Sequence, residues 1–329
     1  MKKLDAIWAG LTPVTLLLLP LSFLFCAIAW LRRRFYRFGL LKQHKLSVPV
    51  IVVGNISVGG TGKTPLVIWL VEKLQQLGFQ PGIVSRGYGG KAEHWPQPVT
   101  LESDPANIGD EPALLAHRTG VPLWVGPDRV AAAKALLATH DCDLIVTDDG
   151  LQHYALGRDM EIVVVDAERR FGNGFCLPAG PLRERPSRLR EVDLVVSNGR
   201  VESDSDWCQM SIQPSMLVNL ADIGQRCEAG RFAGQTVHAF AGIGYPKRFF
   251  DTLRDLGMDV IEHPFPDHHH YSAEDFSRLD DEIVLMTEKD AVKCASFAQA
   301  NHWYLTIDVV LDTQCQDNLE QQLRGINNG

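Results

Sequence analysis

Lys63 and Thr64 close the run GNISVGGTGKT (54–64), which follows the apolar stretch VPVIVV. Glycines at 59, 60 and 62 let the backbone turn its N–H groups toward an anion, and a helix starting there adds the positive end of its dipole. The strict phosphate-loop pattern has glycine where this chain has Ser57. The physical requirements survive that exchange. Ser57, Val58, Gly59, Gly60, Thr61 and Gly62 are expected to wrap the phosphates of ATP, with Lys63 along the β- and γ-phosphates and the Thr64 hydroxyl on magnesium. Pro65 suits the first turn of the helix, where its missing N–H leaves no bond unmade.

Three acidic or histidine-rich strings extend this chemistry. LIVTDDG ends an apolar stretch with Asp148 and Asp149, the place for a magnesium-orienting acid beside a phosphate loop, although a solvated strand end would look the same in isolation. GDEP puts Asp110 and Glu111 at a helix start, where acids either complement the dipole or accept the proton of an alcohol attacking a phosphate. HPFPDHHHYSAED carries four histidines and three acids in thirteen positions (263–275). Three consecutive histidines cannot all face one ion, so a zinc site is disfavoured against a loop with one functional histidine bonded to an acid from elsewhere. Arginines in SRGYGG (Arg86), GPDR (Arg129) and LPAGPLRERPSRLRE (Arg183) are either solvated or hold an anionic substrate group.

The elements that must position these residues are short β-branched runs alternating with helical stretches from Val48 onward. That alternation implies an α/β fold: a phosphate-loop NTPase-like, doubly wound parallel sheet, with helices on both faces. Polarity rises over 200–236, after which VHAFAGI, PKRFFDTLRDL, EIVLMT and WYLTIDV read as a smaller C-terminal α/β unit. The expected division is an N-terminal anchor with its basic flank (1–45), the phosphate-loop domain (46–235) and a cleft-closing C-terminal domain (236–329).

The anchor is expected because no charged residue stands between Asp5 and Arg32, and Leu11–Leu31 is long enough as a helix to cross hydrocarbon. Its length and the basic cluster on its C-terminal side argue against a cleaved signal, and Pro13, Pro20 and the lack of a polar face argue against a soluble core helix. Spanning and interfacial placements both fit. The net charge of −8 divides into +7 over residues 1–50 and −15 over the rest, so one end suits an anionic membrane surface and the body does not suit nucleic acid. Seven scattered cysteines without a CxxC spacing fit reduced thiols rather than a disulfide framework.

In order along nearly the whole chain, GNISVGGTGKTP, SRGYGG, GDEP, VGPDR, DDGLQH, LPAGPLRE, FAGIGYP, FPDHH and TEKDAVK resemble the tetraacyldisaccharide 4′-kinases, the lipid A 4′-kinases of Gram-negative bacteria. The resemblance implies ATP- and Mg2+-dependent phosphorylation of the 4′-hydroxyl of a membrane-held tetraacylated glucosamine disaccharide 1-phosphate, giving lipid IVA in lipopolysaccharide synthesis. It implies work at the cytoplasmic face of the inner membrane, and no protein partner. It assigns Asp110 as catalytic base, His268 as its partner by the FPDH frame, Lys63 and Thr64 as phosphate and magnesium contacts, and Asp148 with Asp149 as the acidic pair. Glu111, Arg129, Gln152 and His153 fall at the metal or sugar-phosphate side.

Overall fold

Val50–Gly54 (β1) is buried along its whole length, and its side chains divide by the strand's two-residue period. Ile51 and Val53 enter one apolar core and Val50 and Val52 another, so the strand is covered on both faces. A computed structural model describes residues 8, 10–201, 206–277 and 279–326; part of the polar stretch at 202–205 lies outside the described residues. Within it β1 is flanked in parallel by Leu144–Asp148 (β5) and Met160–Asp166 (β6). Between β1 and β5 come Pro81–Ser85 (β2), Gln97–Val99 (β3) and Leu123–Val125 (β4). Leu194–Asn198 (β7) continues the parallel set beyond β6.

Three helices cover this sheet: Lys63–Gln76 (α2) after the glycine-rich turn, Asp110–Thr119 (α4) and Arg129–Thr139 (α5), with one turn at Pro105–Ile108 (α3) before α4. Asp128 caps α5 by accepting from the N–H groups of Val130 and Ala131.

Cys208–Asn219 (β8) joins the two halves. It pairs in parallel with β7 at one end and antiparallel with His302–Leu311 (β13) along most of its length, while Arg226–Glu228 (β9) pairs with it from the side. Thr236–Ala241 (β10), Asp259–Pro264 (β11) and Ile283–Thr287 (β12) extend the same sheet beyond β13, giving the order β11-β10-β12-β13-β8-β7-β6-β1-β5-β2-β4-β3. Pro246–Asp255 (α6) follows β10, the short helix Glu288–Cys294 (α7) follows β12, and Thr313–Ile326 (α8) closes the described chain.

The apolar N-terminal stretch forms one helix, Pro13–Arg37 (α1), longer than its uncharged part because the arginines continue it. Thr12 and Thr15 form a capping box and Pro13 occupies the first turn. Leu16, Leu17, Leu21, Phe23, Leu24, Ile28 and Trp30 are exposed. Thr15, Ser22 and Cys26, spaced to share one helix face, are buried against the body, where Ser22 Oγ donates to the Cys176 carbonyl at 2.6 Å. The usual amphipathic order is inverted, with small polar residues inward and leucines outward, the pattern of a helix whose outer surroundings are apolar.

The cysteines depart from the expectation of free thiols. Cys26 is bonded to Cys176 and Cys208 to Cys315, while Cys142, Cys227 and Cys294 are free. Both pairs lie more than 100 positions apart in the chain, so only the fold brings them together.

Candidate active site

The register of β1 and β5 sets Val53 opposite Asp148, so the acidic pair ends its strand beside the start of the glycine-rich turn. Gly62 has φ +93° and caps α2; a Cβ there would stand 2.7 Å from Asn198 Nδ2, so glycine is required for both shape and space. The turn is held from outside. Asn198 Nδ2 donates to the Thr61 carbonyl at 3.1 Å, Asn55 Nδ2 to Thr61 Oγ1 at 3.2 Å, and the N–H of Val58 to the Pro181 carbonyl at 2.8 Å. Ser57 bridges to Leu182, and the Arg169 guanidinium donates to the Gly60 carbonyl. The first N–H groups of α2 have no intrahelical acceptor and point into the cradle these contacts shape.

Asp148 and Asp149 are neighbours in sequence and opposites in environment. Asp149, at φ +51°, receives both carboxylate bonds from Arg183 Nη1 at 2.9 Å, lies 3.5 Å from Lys63 Nζ, and has its carbonyl held by Arg129 at 3.2 Å. Burial opposes its ionisation, but Lys63 and Arg183 outweigh it and bring the carboxyl down to about 2. Asp148 is buried, and burial together with the nearby Glu111 charge pushes its carboxyl up to about 7. Its Oδ1 has no hydrogen-bond partner. An orphaned carboxylate oxygen beside a second acid is a donor set that suits a hard divalent cation.

Gln152 spends its amide on the Asn55 carbonyl at 3.0 Å and on Glu184 at 2.9 Å, and Glu184 also accepts from the Tyr154 hydroxyl at 2.5 Å. Gln152 therefore braces the base of the nucleotide turn and, through a 3.5 Å contact, Arg183. Burial and the Arg129 charge lower His153 to about 4, which leaves it neutral, with Nε2 3.9 Å from Asp128. Burial likewise lowers Arg129, to about 10. Arg86 is exposed just past β2.

Asp110 opens α4 at 6% exposure. Its Oδ2 meets His268 Nδ1 at 3.0 Å, although the two residues lie 158 positions apart. His268 takes the left-handed φ of +61°, its N–H donates to the Gly242 carbonyl at 3.2 Å, and its ring stands 5.5 Å from that of Tyr88. His269 instead stacks on Phe265 and faces Asp275. Burial acts to raise the Asp110 carboxyl, but the bond to His268 and the charges of Lys293 and Lys289 hold it below the ordinary value.

Those two lysines went unassigned in the sequence. Lys293 Nζ is 3.7 Å from Asp110 Oδ2, 2.7 Å from Asp290 Oδ1 and 4.9 Å above the Tyr271 ring. Lys289 Nζ lies between Glu111 at 3.4 Å and Asp267 at 3.5 Å. The spacing in TEKDAVK, two lysines four apart on one short helix after a strand, puts them on one face and was the available signal. Two groups thus form: a glycine-rich turn with Lys63 and the unpartnered Asp148 carboxylate, and a buried carboxylate, Asp110, in contact with His268 and Lys293, linked by the Glu111 charge acting on Asp148.

The family model described as tetraacyldisaccharide-1-P 4′-kinase (LpxK) matches residues 14–324. The tetraacyldisaccharide 4′-kinase of Methylobacillus flagellatus is 53% identical over 321 residues, covering 97% of this chain and 95% of that protein. That of Alkalilimnicola ehrlichii is 51% identical over 325 residues, covering 98% and 97%. The crystal structure of LpxK from Aquifex aeolicus in complex with ATP superposes with a TM-score of 0.82 at 32% identity, covering 95% of this chain and 99% of that one. The chain belongs to the tetraacyldisaccharide-1-P 4′-kinase family.

Proposed function

We propose that this chain transfers the γ-phosphoryl group of ATP to the 4′-hydroxyl of a tetraacyldisaccharide 1-phosphate, the lipid A precursor, giving lipid IVA. The observation that carries the reading is the 3.0 Å contact between Asp110 and His268, read as a base and its orienting partner, with the neighbouring Glu111 near enough to Asp148 for its charge to raise that carboxyl. Phosphoryl transfer is largely positioning and charge neutralisation, and each wall supplies one part.

Residues 57–64 grip the nucleotide phosphates through backbone N–H groups, and Lys63 balances charge on the transferred group. Asp149, tied to Arg183 and Lys63, keeps that lysine extended toward the cradle. Asp148, Glu111 and Thr64 are the residues that would hold magnesium, which when bound neutralises phosphate charge. Asp149 has its oxygens committed to Arg183 and is better read as the orienter of Lys63. Asp110 is ionised at neutral pH and accepts the hydroxyl proton, while His268 fixes its Oδ2 and Lys293 steadies the developing charge. Arg86, exposed just past β2, is free to meet an anionic sugar phosphate, whereas Arg129 is buried and holds the Asp149 carbonyl.

The inverted helix α1 attaches the enzyme to the bilayer, with Arg32, Arg33, Arg34 and Arg37 at the anionic headgroups of the cytoplasmic leaflet. An acyl-chain substrate then reaches the cleft without leaving the membrane. The test is transfer of radiolabel from γ-labelled ATP to the disaccharide 1-phosphate in detergent micelles, with the label mapped to one oxygen. Label on the 4′ oxygen, dependent on lipid, is expected. Lipid-independent ATP hydrolysis with no labelled lipid would mark a nucleotide switch and overturn the reading.

A further inference from the structure

A cavity of about 680 Å³ lies beneath the basic end of α1, away from the phosphate loop. Its floor is formed at the amino ends of β6 and β7, by Met160, Glu161 and Asp193, whereas the phosphate loop leaves the carboxyl end of β1. These strands are parallel, so the two sites lie at opposite ends of the strands. The volume is that of a small-ligand pocket.

The charges around it are unevenly matched. Glu191 is shared by Arg33 and Arg37, and Glu161 by Arg158 at 3.0 Å and Arg188 at 2.6 Å. Each of these carboxylates serves two guanidinium groups, and Arg188 is also met by Glu184 at 3.6 Å from its Nε. Arg190 lines the cavity with no ion-pair partner among the described residues. Asp159 and Asp193 supply the opposing charge, each already accepting a backbone N–H, from Val50 at 2.9 Å and Glu161 at 2.8 Å. Five arginines and four acids line the cavity, and with Glu184 behind it on Arg188 this leaves Arg190 as the lining guanidinium without a carboxylate among the described residues. Arg188 adds an independent sign: it is only 3% exposed, and its Nη1 has no hydrogen-bond partner. A buried donor left unsatisfied is costly, and a ligand oxygen in the cavity would satisfy it.

We propose that this cavity is a phosphodiester site that takes the headgroup of one anionic phospholipid from the surrounding membrane, separate from the lipid that is phosphorylated. A phosphodiester carries the single negative charge that would pair with Arg190. Its acyl chains would lie along the exposed leucines of α1, and the arginines ending that helix sit where headgroups reside. The inference rests on the membrane attachment of α1 proposed above and not on the identity of the phosphoryl acceptor.

The test is calorimetric titration of the full-length protein with dihexanoyl phosphatidylglycerol below its micelle concentration. Dihexanoyl phosphatidylcholine, inorganic phosphate and the tetraacyldisaccharide 1-phosphate serve as separate arms. Saturable binding of phosphatidylglycerol is expected, weakened about tenfold or more in Arg188→Gln and in Arg190→Glu, as for loss of a charge-assisted hydrogen bond. Arg190 is exposed, so Arg190→Glu keeps the test open should Arg188→Gln fail to fold. Label transfer measured in micelles on the same preparations should stay at the wild-type rate in Arg190→Glu, which separates failure of this site from failure of the kinase reading. Unchanged binding in the variants, equal binding of phosphatidylcholine, or inorganic phosphate binding equally well would each overturn the proposal. So would displacement by the disaccharide with a raised KM in Arg190→Glu, because the cavity would then belong to the substrate's own phosphate.

Discussion

The two walls of the cleft are built in different ways. The nucleotide wall is local: Lys63 and the cradle come from one continuous turn, and Asp148 reaches it through a single strand pairing. The acceptor wall is assembled from Asp110 on α4, His268 on the loop after β11 and Lys289 and Lys293 on α7. The cradle residues of the nucleotide wall are contiguous in the chain, and Asn198, Pro181 and Arg169 brace them from outside. The acceptor wall needs both halves of the chain, since Asp110 stands on α4 while His268, Lys289 and Lys293 come from the C-terminal half.

Substitutions should break the walls separately. Asp110→Asn is expected to lower transfer by about two to four orders of magnitude, the usual cost of losing a general base, with ATP affinity nearly unchanged in an equilibrium binding assay. Lys63→Ala removes a positive group aimed at developing charge and is expected to lower turnover by about two to three orders of magnitude. Unlike Asp110→Asn, it should also weaken ATP binding. Equal effects of both variants on ATP binding would erase the distinction between the walls.

Lys293→Met probes the acceptor wall from behind. Its methylenes are kept and its charge removed, which leaves Asp110 and Asp290 less compensated. Turnover should fall by about one order of magnitude, well short of the loss for the base itself. The pH–rate profile should also shift to higher pH on its acid side, because the Asp110 carboxyl then sits higher. A fall in thermal stability with an unmoved profile would assign Lys293 to packing alone.

The smallest effect expected is on stability at the nucleotide wall. His153 is held at about 4, below its ordinary value, by burial and by Arg129. The unfolded chain therefore binds the extra proton first, and folding loses stability as the pH falls from about 6.5 to about 4. His153→Gln should flatten the melting temperature over that window and leave it unchanged above pH 7. A variant with the wild-type slope would locate the titration elsewhere.

The same contrast explains what could be read from the chain. The turn at 54–64, the acids ending LIVTDDG and the α/β alternation announce themselves locally, because strand period, glycine placement and helix start share one stretch of sequence. On residue chemistry alone, GDEP was as consistent with helix capping as with catalysis; its pairing with His268 needed the family resemblance and then the fold. The bracing roles of Asn198, Glu184 and Arg169 had no local sign, since each acts through a neighbour far away in sequence. The cysteine pairs were misjudged for the same reason, as was the inner face of α1, where Thr15, Ser22 and Cys26 make a stripe too thin to show against the leucines.

The central claim is that Asp110 and His268 act as one proton-accepting unit across the cleft. It is tested most directly by single-turnover transfer of the ATP γ-phosphoryl to the disaccharide by Asp110→Asn, His268→Ala and the double variant, at saturating ATP. The account predicts that the double variant is no slower than Asp110→Asn alone, because His268 works only through the carboxylate it orients. Losses that multiply in the double variant would show two independent contributions and contradict it.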